Sequence, residues 1–202
     1  MTASADNSST SVIALAGRRI DASNAQAPRF PQENTEAVRT ALARRLEGAA
    51  PTLLVASAAC GSDLLALEAA SGLGIRTRIV LPFPPDVFRQ TSVIDRSNPA
   101  YWGDLYDRLI GDACERGDLI VLNCDRSDAS AYIAANEVII AEALQAAHTK
   151  VSPARLIAVI VWEGKVRAGD DATEHFRRLA LERGFFVEQI STLMASPRPR
   201  SC

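Results

Sequence analysis

The chain is poor in the residues that build metal sites and disulfide frameworks. Its 202 residues include only four cysteines and two histidines. The cysteines are widely spaced, form no C-x-x-C pair and have no group of histidines near them; they are Cys60, Cys114, Cys124 and Cys202. This pattern argues against a zinc site, a thiol redox motif or a disulfide scaffold. We therefore predict reduced thiols, no metal and no cofactor.

The chain also lacks a long apolar run and an excess of charge of either sign. Its formal net charge is -2, and 48% of its residues are hydrophobic against 23% charged. No apolar run approaches the length of a membrane span, and the first residues carry no basic opening followed by an apolar stretch. The charge balance gives no electrostatic reason to expect a nucleic-acid partner. We expect a cytoplasmic globular protein that binds neither membrane nor nucleic acid.

What the chain does have is a regular alternation of short apolar runs with longer helical patterns. Such alternation is typical of βαβ units around a parallel sheet. Most of the runs are apolar at every position, as in strands covered by helices on both faces. We predict an α/β fold, a Rossmann-like, doubly wound and mostly parallel sheet of about six strands with helices on both faces. The predicted strands are residues 12–16, 52–56, 77–81, 119–122, 156–161 and 185–190.

Helical spacing of apolar residues fills the segments between these strands. The predicted helices lie near residues 34–47, 64–71, 101–116, 129–148 and 172–183. Both ends of the chain are polar and rich in serine or proline, so we expect disordered tails at residues 1–11 and 193–202. Residues 12–192 then form one domain, which is large enough to bury a core without disulfides.

The segment 53–70 is the most informative part of the sequence. A buried strand runs into the small-residue turn Ala58-Ala59-Cys60-Gly61, and Ser62 and Asp63 then begin a helix. Such a junction presents backbone N–H groups and the positive end of a helix dipole, which together can hold a phosphate. Asp63 could accept hydrogen bonds from ribose hydroxyls. Alternatively, the turn only allows strand and helix to pack closely, and Ser62 or Asp63 caps the helix.

Other polar segments also follow predicted strands, where open α/β sheets bind their ligands. After the first strand come Gly17, Arg18, Arg19 and Asp21, in which the arginines offer donors to phosphate or serve as plain surface charge. After the third comes a segment, residues 81–96, with three prolines, read as a pocket wall or a covering loop. Its candidate ligand contacts are Arg89 and Ser92, and Arg96 could also bind oxygen atoms.

Two polar residues interrupt the apolar helix that follows the fourth strand. Asn136 shares a helical face with Ile139 and Ala143, whereas Glu137 shares one with Ile133 and Leu144. We expect at least one of the two to face the sheet edge, where it would contact a ligand or an internal ion-pair partner. A weaker candidate follows the fifth strand: Trp162 stacks on a base or, more commonly, seals the sheet, and Asp170 or Asp171 caps the next helix.

Together these segments resemble a bacterial, sensor-type branch of the SLOG superfamily, a Rossmann-like group related to DNA-processing and lonely-guy proteins. The resemblance rests on Gly17-Arg18-Arg19-Ile20-Asp21, on residues 57–66, on residues 81–83 with 88–93, and on residues 132–137. In related domains the first motif usually reads Gly-His-Arg, so Arg18 replaces a histidine. The resemblance implies a pocket for a nucleotide or nucleotide-derived ligand such as an ADP-ribose-like or cyclic nucleotide molecule. It also implies signalling, as a homodimer or fused to an effector domain.

An N-glycosidic hydrolase is the alternative that the resemblance raises. Lonely-guy enzymes carry a Pro-Gly-Gly-x-Gly-Thr-x-x-Glu signature, and no such run occurs in this chain. Catalysis would need a carboxylate, for which Glu137 and Asp63 are the candidates. We expect binding without turnover. The expected ligand contacts are Gly17, Arg18, Arg19, Asp21, Ala59, Cys60, Gly61, Ser62, Asp63, Arg89, Ser92, Asn136 and Glu137.

Overall fold

A computed structural model describes residues 10–128, 130–148, 154–167, 169 and 171–193. Most of both predicted tails, together with Asp170, lies outside the described residues. Residues 10 and 11, which the sequence assigned to the N-terminal tail, join the domain: Ser11 begins the first strand and the Thr10 carbonyl accepts a hydrogen bond from Arg155 N.

Six parallel strands form one sheet, as the apolar runs predicted. Their order across the sheet is β4-β3-β2-β1-β5-β6. The central strands are buried because helices cover them on both sides. The strand bounds are β1 Ser11–Gly17, β2 Leu53–Ala56, β3 Arg76–Leu81, β4 Leu119–Val121, β5 Arg155–Trp162 and β6 Phe186–Ser191.

Within the described ranges, six α-helices connect the strands. A short 3-10 turn, Gln32–Asn34, leads into the first of them. Asp171 caps the last helix as predicted, since its side chain accepts hydrogen bonds from the amides of Thr173 and Glu174. The helices are α1 Thr35–Ala49, α2 Ser62–Gly72, α3 Pro85–Ser92, α4 Pro99–Glu115, α5 Ala131–His148 and α6 Ala172–Glu182.

Each face of the sheet has its own apolar core. Buried residues of α1, α2, α3 and α4 pack with those of the sheet on one side, where Trp102 and Phe88 are fully buried. Buried residues of α5 and α6 pack on the other side, around Ile139 and Phe176. The chain therefore winds in one direction from β1 to β4, and α5 then brings it across the other face to β5. This is the doubly wound fold that the sequence predicted.

Helix α3 is the element that the sequence prediction lacked. The three prolines of residues 81–96 suggested a pinned loop, but Pro85 is the first residue of a helix of eight residues. Proline suits that position because its fixed φ matches the helix and its missing N–H has no partner there in any case.

None of the helices in the described ranges is long and apolar enough to span a membrane.

Candidate functional site

A cleft of about 680 Å³ opens at the carboxyl ends of the strands, beside β1. Strand β1 lies between β2 and β5, and the connections on its two sides leave toward opposite faces of the sheet. Open α/β sheets leave a crevice at such a reversal of strand order. The polar residues that line the cleft are Arg18, Arg19, Asp21, Gln26, Arg29, Ser57, Asp63, Arg96, Tyr132, Asn136, Arg167, Asp171 and Thr173.

Arg18 borders the cleft but is bound to the protein's own carboxylates. Its guanidinium donates to Asp171 at 2.6 Å, to Glu163 at 2.7 Å and to the Lys165 carbonyl at 2.8 Å. It also lies 5.6 Å from the centre of the Trp162 ring. Burial alone would raise the pKa of Asp171, but the hydrogen bonds from Arg18 and from the Arg167 amide lower it to about 2. Arg18 was predicted to contact a ligand. In the structure its guanidinium instead pairs with internal carboxylates and fixes the loop after β5.

The loop after β1 and the turn after β2 lie side by side, joined by an isolated antiparallel bridge between Arg19 and Gly61. This contact occupies amides that the sequence suggested would be open to an anion. The Cys60 amide donates to the Ser92 carbonyl at 3.0 Å, and the Ser62 amide donates to the Arg18 carbonyl at 3.2 Å. The Cys60 and Ser62 amides are therefore not open to an anion, because neighbouring loops already use them.

Asp63 lies at the start of α2 with its carboxyl group in the cleft. Its Oδ2 accepts a hydrogen bond from the Ala59 amide at 3.2 Å, so it ties the turn together instead of capping its own helix. Its Oδ1 is buried and has no hydrogen-bond partner among the described residues. Burial raises the pKa of Asp63 to about 7, although the Ala59 amide and the charge of Arg19 favour the ionised form.

Two arginines that line the same cleft also carry unpaired polar atoms. The Nε atoms of Arg19 and Arg96 are both buried, and neither has a partner in the part of the chain that the structure describes. The outer end of each guanidinium contacts the carboxylate of Asp95, at 3.2 Å in the case of Arg96 Nη1. Unpaired buried donors and acceptors cost free energy, and these two Nε atoms, like Asp63 Oδ1, belong to residues that line one cleft.

Asn136 and Asp21 also line the cleft, and both have internal partners. Asn136 Nδ2 donates to the Ala172 carbonyl at 2.7 Å. The Asp21 carboxylate accepts hydrogen bonds from the amides of Arg29 and Phe30, at 2.9 and 3.1 Å, and so folds the loop that covers the cleft. Gly17 and Ala59 contribute the backbone of the cleft wall.

The remaining predicted contacts lie outside the cleft. Arg89 pairs with Asp107 of α4 at 2.8 Å. Ser92 is fully buried and shares a hydrogen bond of 2.9 Å with the hydroxyl of Tyr132. Glu137 is exposed to solvent while its neighbour Asn136 faces the cleft, so the structure does not bring Glu137 and Asp63 together. Cys60 and Gly61 of the turn and Ser62 at the start of α2 are buried.

Several lining residues were not among the predicted contacts. Gln26 and Arg29 come from the loop between β1 and α1, and Tyr132 comes from the first turn of α5. The tyrosine contacts Phe83 edge to face, with ring centres 5.7 Å apart. Gln26 and Arg29 could have been predicted, because they lie in the loop directly after β1. Tyr132 could not, because its position depends on how α5 packs. Trp162 seals the sheet, since its Nε1 donates to Gln189 of β6.

Comparison with solved structures supports the fold. DNA processing protein A from Streptococcus pneumoniae matches with a TM-score of 0.53 and 18% sequence identity. The match covers 89% of this chain and 50% of the other, so the chain spans about half the length of that protein. No protein-family model matches the chain, and neither does any curated protein. The chain has the Rossmann-like architecture found in DNA processing protein A.

Proposed function

We propose that this chain binds a nucleotide or nucleotide-derived ligand, such as an ADP-ribose-like or cyclic nucleotide molecule, in the cleft beside β1. One observation carries the proposal. Asp63 Oδ1, Arg19 Nε and Arg96 Nε are buried without partners in the described chain, and all three residues line this cleft. A ligand with sugar hydroxyls and phosphate oxygens would supply the missing donor and acceptors.

The size and lining of the cleft agree with such a ligand. A volume of about 680 Å³ falls within the range of small-molecule sites. Tyr132 provides aromatic surface beside the charged groups, and it is 38% exposed, so its ring is accessible to a base. Four arginines besides Arg18 line the cleft and can offer donors to phosphate; they are Arg19, Arg29, Arg96 and Arg167.

The resemblance to sensor-type SLOG proteins favours binding and signalling, with a homodimer or a fused effector as the partner. DNA is a weaker candidate than a small molecule, although the structural neighbour is named for DNA processing. The chain matches half of that neighbour at 18% identity, and its own formal net charge is -2. A protein that tracks a nucleic-acid backbone carries a basic surface in most cases.

The test is a thermal-shift panel with ADP-ribose, cyclic dinucleotides, NAD and nucleoside monophosphates. A ligand at 100 times its dissociation constant stabilises the folded state by about 2.7 kcal/mol, which for a domain of this size is roughly 5–10 °C. We expect one class of compound to give such a shift, and Arg19→Ala to abolish it. Arg89→Ala is the matched control, since Arg89 is an arginine of similar exposure that pairs with Asp107 outside the cleft. A panel without any shift would contradict the proposal.

N-glycosidic hydrolysis is the second candidate, and Asp63 is the residue that favours it. A buried carboxyl with a pKa of about 7 is suited to proton transfer near neutral pH. The same compounds would be incubated with the protein and analysed for free base or ribose phosphate. Hydrolysis predicts release that Asp63→Asn abolishes and Glu137→Gln leaves intact, because Glu137 is exposed. An intact compound after prolonged incubation would leave binding as the activity.

A further inference from the structure

A carboxylate of the protein itself lies between the two cleft arginines. Asp95, in the segment between α3 and α4, contacts Arg19 through Oδ1 and Arg96 through Oδ2, the latter at 3.2 Å. All three side chains are partly exposed, with fractions of 25%, 29% and 27% for Arg19, Asp95 and Arg96, and the two arginines line the cleft. Two guanidinium groups of the cleft thus converge on one anionic group.

This arrangement matches the geometry by which proteins hold a phosphoryl group. Arginine donors are arranged to meet two oxygens of one anion, and a carboxylate and a phosphate offer those oxygens in a similar way. The Nε donors of Arg19 and Arg96 remain buried without partners within the described ranges, so Asp95 satisfies the pair only in part. A phosphoryl group has three terminal oxygens and a larger charge, and it can satisfy more of these donors.

We propose that the space between Arg19 and Arg96 is the phosphoryl subsite of the cleft, that Asp95 fills it in the free protein, and that the ligand's phosphate displaces Asp95. This inference rests on the proposed function and adds to it the position of the phosphate and a residue that tunes affinity. Asp95 therefore sets a threshold for binding. A neutral group, or one that contacts a single arginine, gains too little binding free energy to displace Asp95, whereas a pyrophosphate or terminal phosphate gains enough.

The displacement requires little rearrangement of the fold. The amides of Val93 and Ile94 both donate to the Arg89 carbonyl and close α3, and α4 begins at Pro99. Asp95 lies between these two anchored ends. Partly exposed ion pairs of this kind contribute little to stability, so releasing the carboxylate changes the equilibrium by no more than about fivefold for each of the two pairs.

The experiment measures affinity by calorimetry for wild-type protein, Asp95→Asn, Arg96→Ala and Asp107→Asn. The probes are inorganic pyrophosphate and the compound of the nucleotide panel that gives the largest shift in the wild type. We expect Asp95→Asn to tighten binding of both probes by about three- to tenfold, because a competing and repelling charge is removed. Arg96→Ala should weaken both. Asp107→Asn removes the same charge from the pair with Arg89, outside the cleft, and should leave both affinities unchanged.

The outcomes separate this inference from the proposed function. If the wild type binds a nucleotide but Asp95→Asn binds it with equal or lower affinity, the inference is wrong and the function stands. Equal tightening by Asp107→Asn would also overturn it, since the effect would then be one of total charge. If neither the wild type nor Asp95→Asn binds any probe, the inference and the proposed function fail together.

Discussion

Arg18 and Arg19 are adjacent in the sequence but lie in different electrostatic surroundings. Arg18 is 6% exposed and holds Glu163 and Asp171, whereas Arg19 reaches the cleft and keeps a buried Nε without a partner in the described chain. Alternation along an extended segment sends the two side chains in opposite directions. The sequence alone could not distinguish the structural arginine from the one available to a ligand, because its partners come from a loop about 150 residues away.

Arg18→Ala should destabilise the protein strongly. The substitution leaves the buried carboxylates of Glu163 and Asp171 with only Arg29, 3.9 Å from Glu163, as a counter-charge, and removal of one partner from a buried ion pair costs about 3–5 kcal/mol. Arg89→Ala removes a partly exposed pair and should cost about 0–1 kcal/mol. Chemical denaturation of both variants tests this contrast, and equal losses would contradict the structural role assigned to Arg18.

Asp63 should make stability depend on pH in an unusual direction. Its pKa is about 7 in the folded state and about 3.9 in an unfolded chain, so the folded state binds the proton more tightly between these values. The contribution of Asp63 to stability is therefore lost as the pH rises from about 4 to 7. Asp63→Asn should match the wild type near pH 4 and exceed its stability above pH 7, by a few kcal/mol at most, since one pKa unit corresponds to about 1.4 kcal/mol.

Denaturation of both proteins across that pH range is the measurement. Asp171 provides a contrast of opposite sign, because its pKa is lowered to about 2 and its stabilising effect is lost only as the pH falls toward that value. Asp171→Asn should accordingly lose stability at neutral pH. A wild-type stability advantage over Asp63→Asn at pH 8 would contradict the placement of an unpaired carboxyl in the cleft.

At the scale of elements, the junction of β1 with α2 depends on a close approach at Gly17. A Cβ on this residue would lie 2.5 Å from Ser62 Cβ and 2.6 Å from the Val161 carbonyl oxygen. Neither neighbour can move without shifting α2 or β5. We expect Gly17→Ala to cost roughly 1–3 kcal/mol, as overpacking of a core does, and to lower the melting temperature. Gly48→Ala is the control, because open space surrounds Gly48 in α1 and alanine favours a helix; equal losses would exclude a steric role for Gly17.

The turn after β2 requires a glycine at position 61, and the sequence indicated only part of the reason. Gly61 has a φ of +105°, and a Cβ there would lie 2.8 Å from Ile20 N. From the sequence alone, the small residues of this turn suggested either close packing or access for a phosphate. In the structure, Gly61 is required by the bridge with Arg19, a long-range contact that no local pattern encodes.

The elements with strong periodicity were predictable, and those decided by packing were not. The six strands were identified because buried parallel strands are continuous apolar runs. Helix α3 was missed because eight residues with a proline at the start carry too short a pattern. The helical pattern of α5 left both Asn136 and Glu137 as candidates, since adjacent residues differ by only 100° around a helix. Contact with α6 decides for Asn136.

At the scale of the whole molecule, the doubly wound topology brings the site together. The loop after β1 supplies Arg19, α2 supplies Asp63, the segment after α3 supplies Arg96 and α5 supplies Tyr132. These residues are far apart in the chain, and the reversal of strand order between β1 and β5 is what makes them neighbours. The rule that ligands bind at the carboxyl ends of strands located the site, but it could not say which side chains would be left without partners.

The central claim is that these unpaired groups are held ready for a phosphate-bearing nucleoside ligand. The most direct measurement is the melting temperature of wild-type protein and Asp63→Asn at pH 8, each with and without the nucleotide panel. We predict that Asp63→Asn melts higher than the wild type without ligand and loses the ligand-induced shift, since the substitution removes the unpaired carboxyl and with it the hydrogen bonds that we propose it makes to the sugar. A shift of equal size in both proteins, or none in the wild type, would contradict the account.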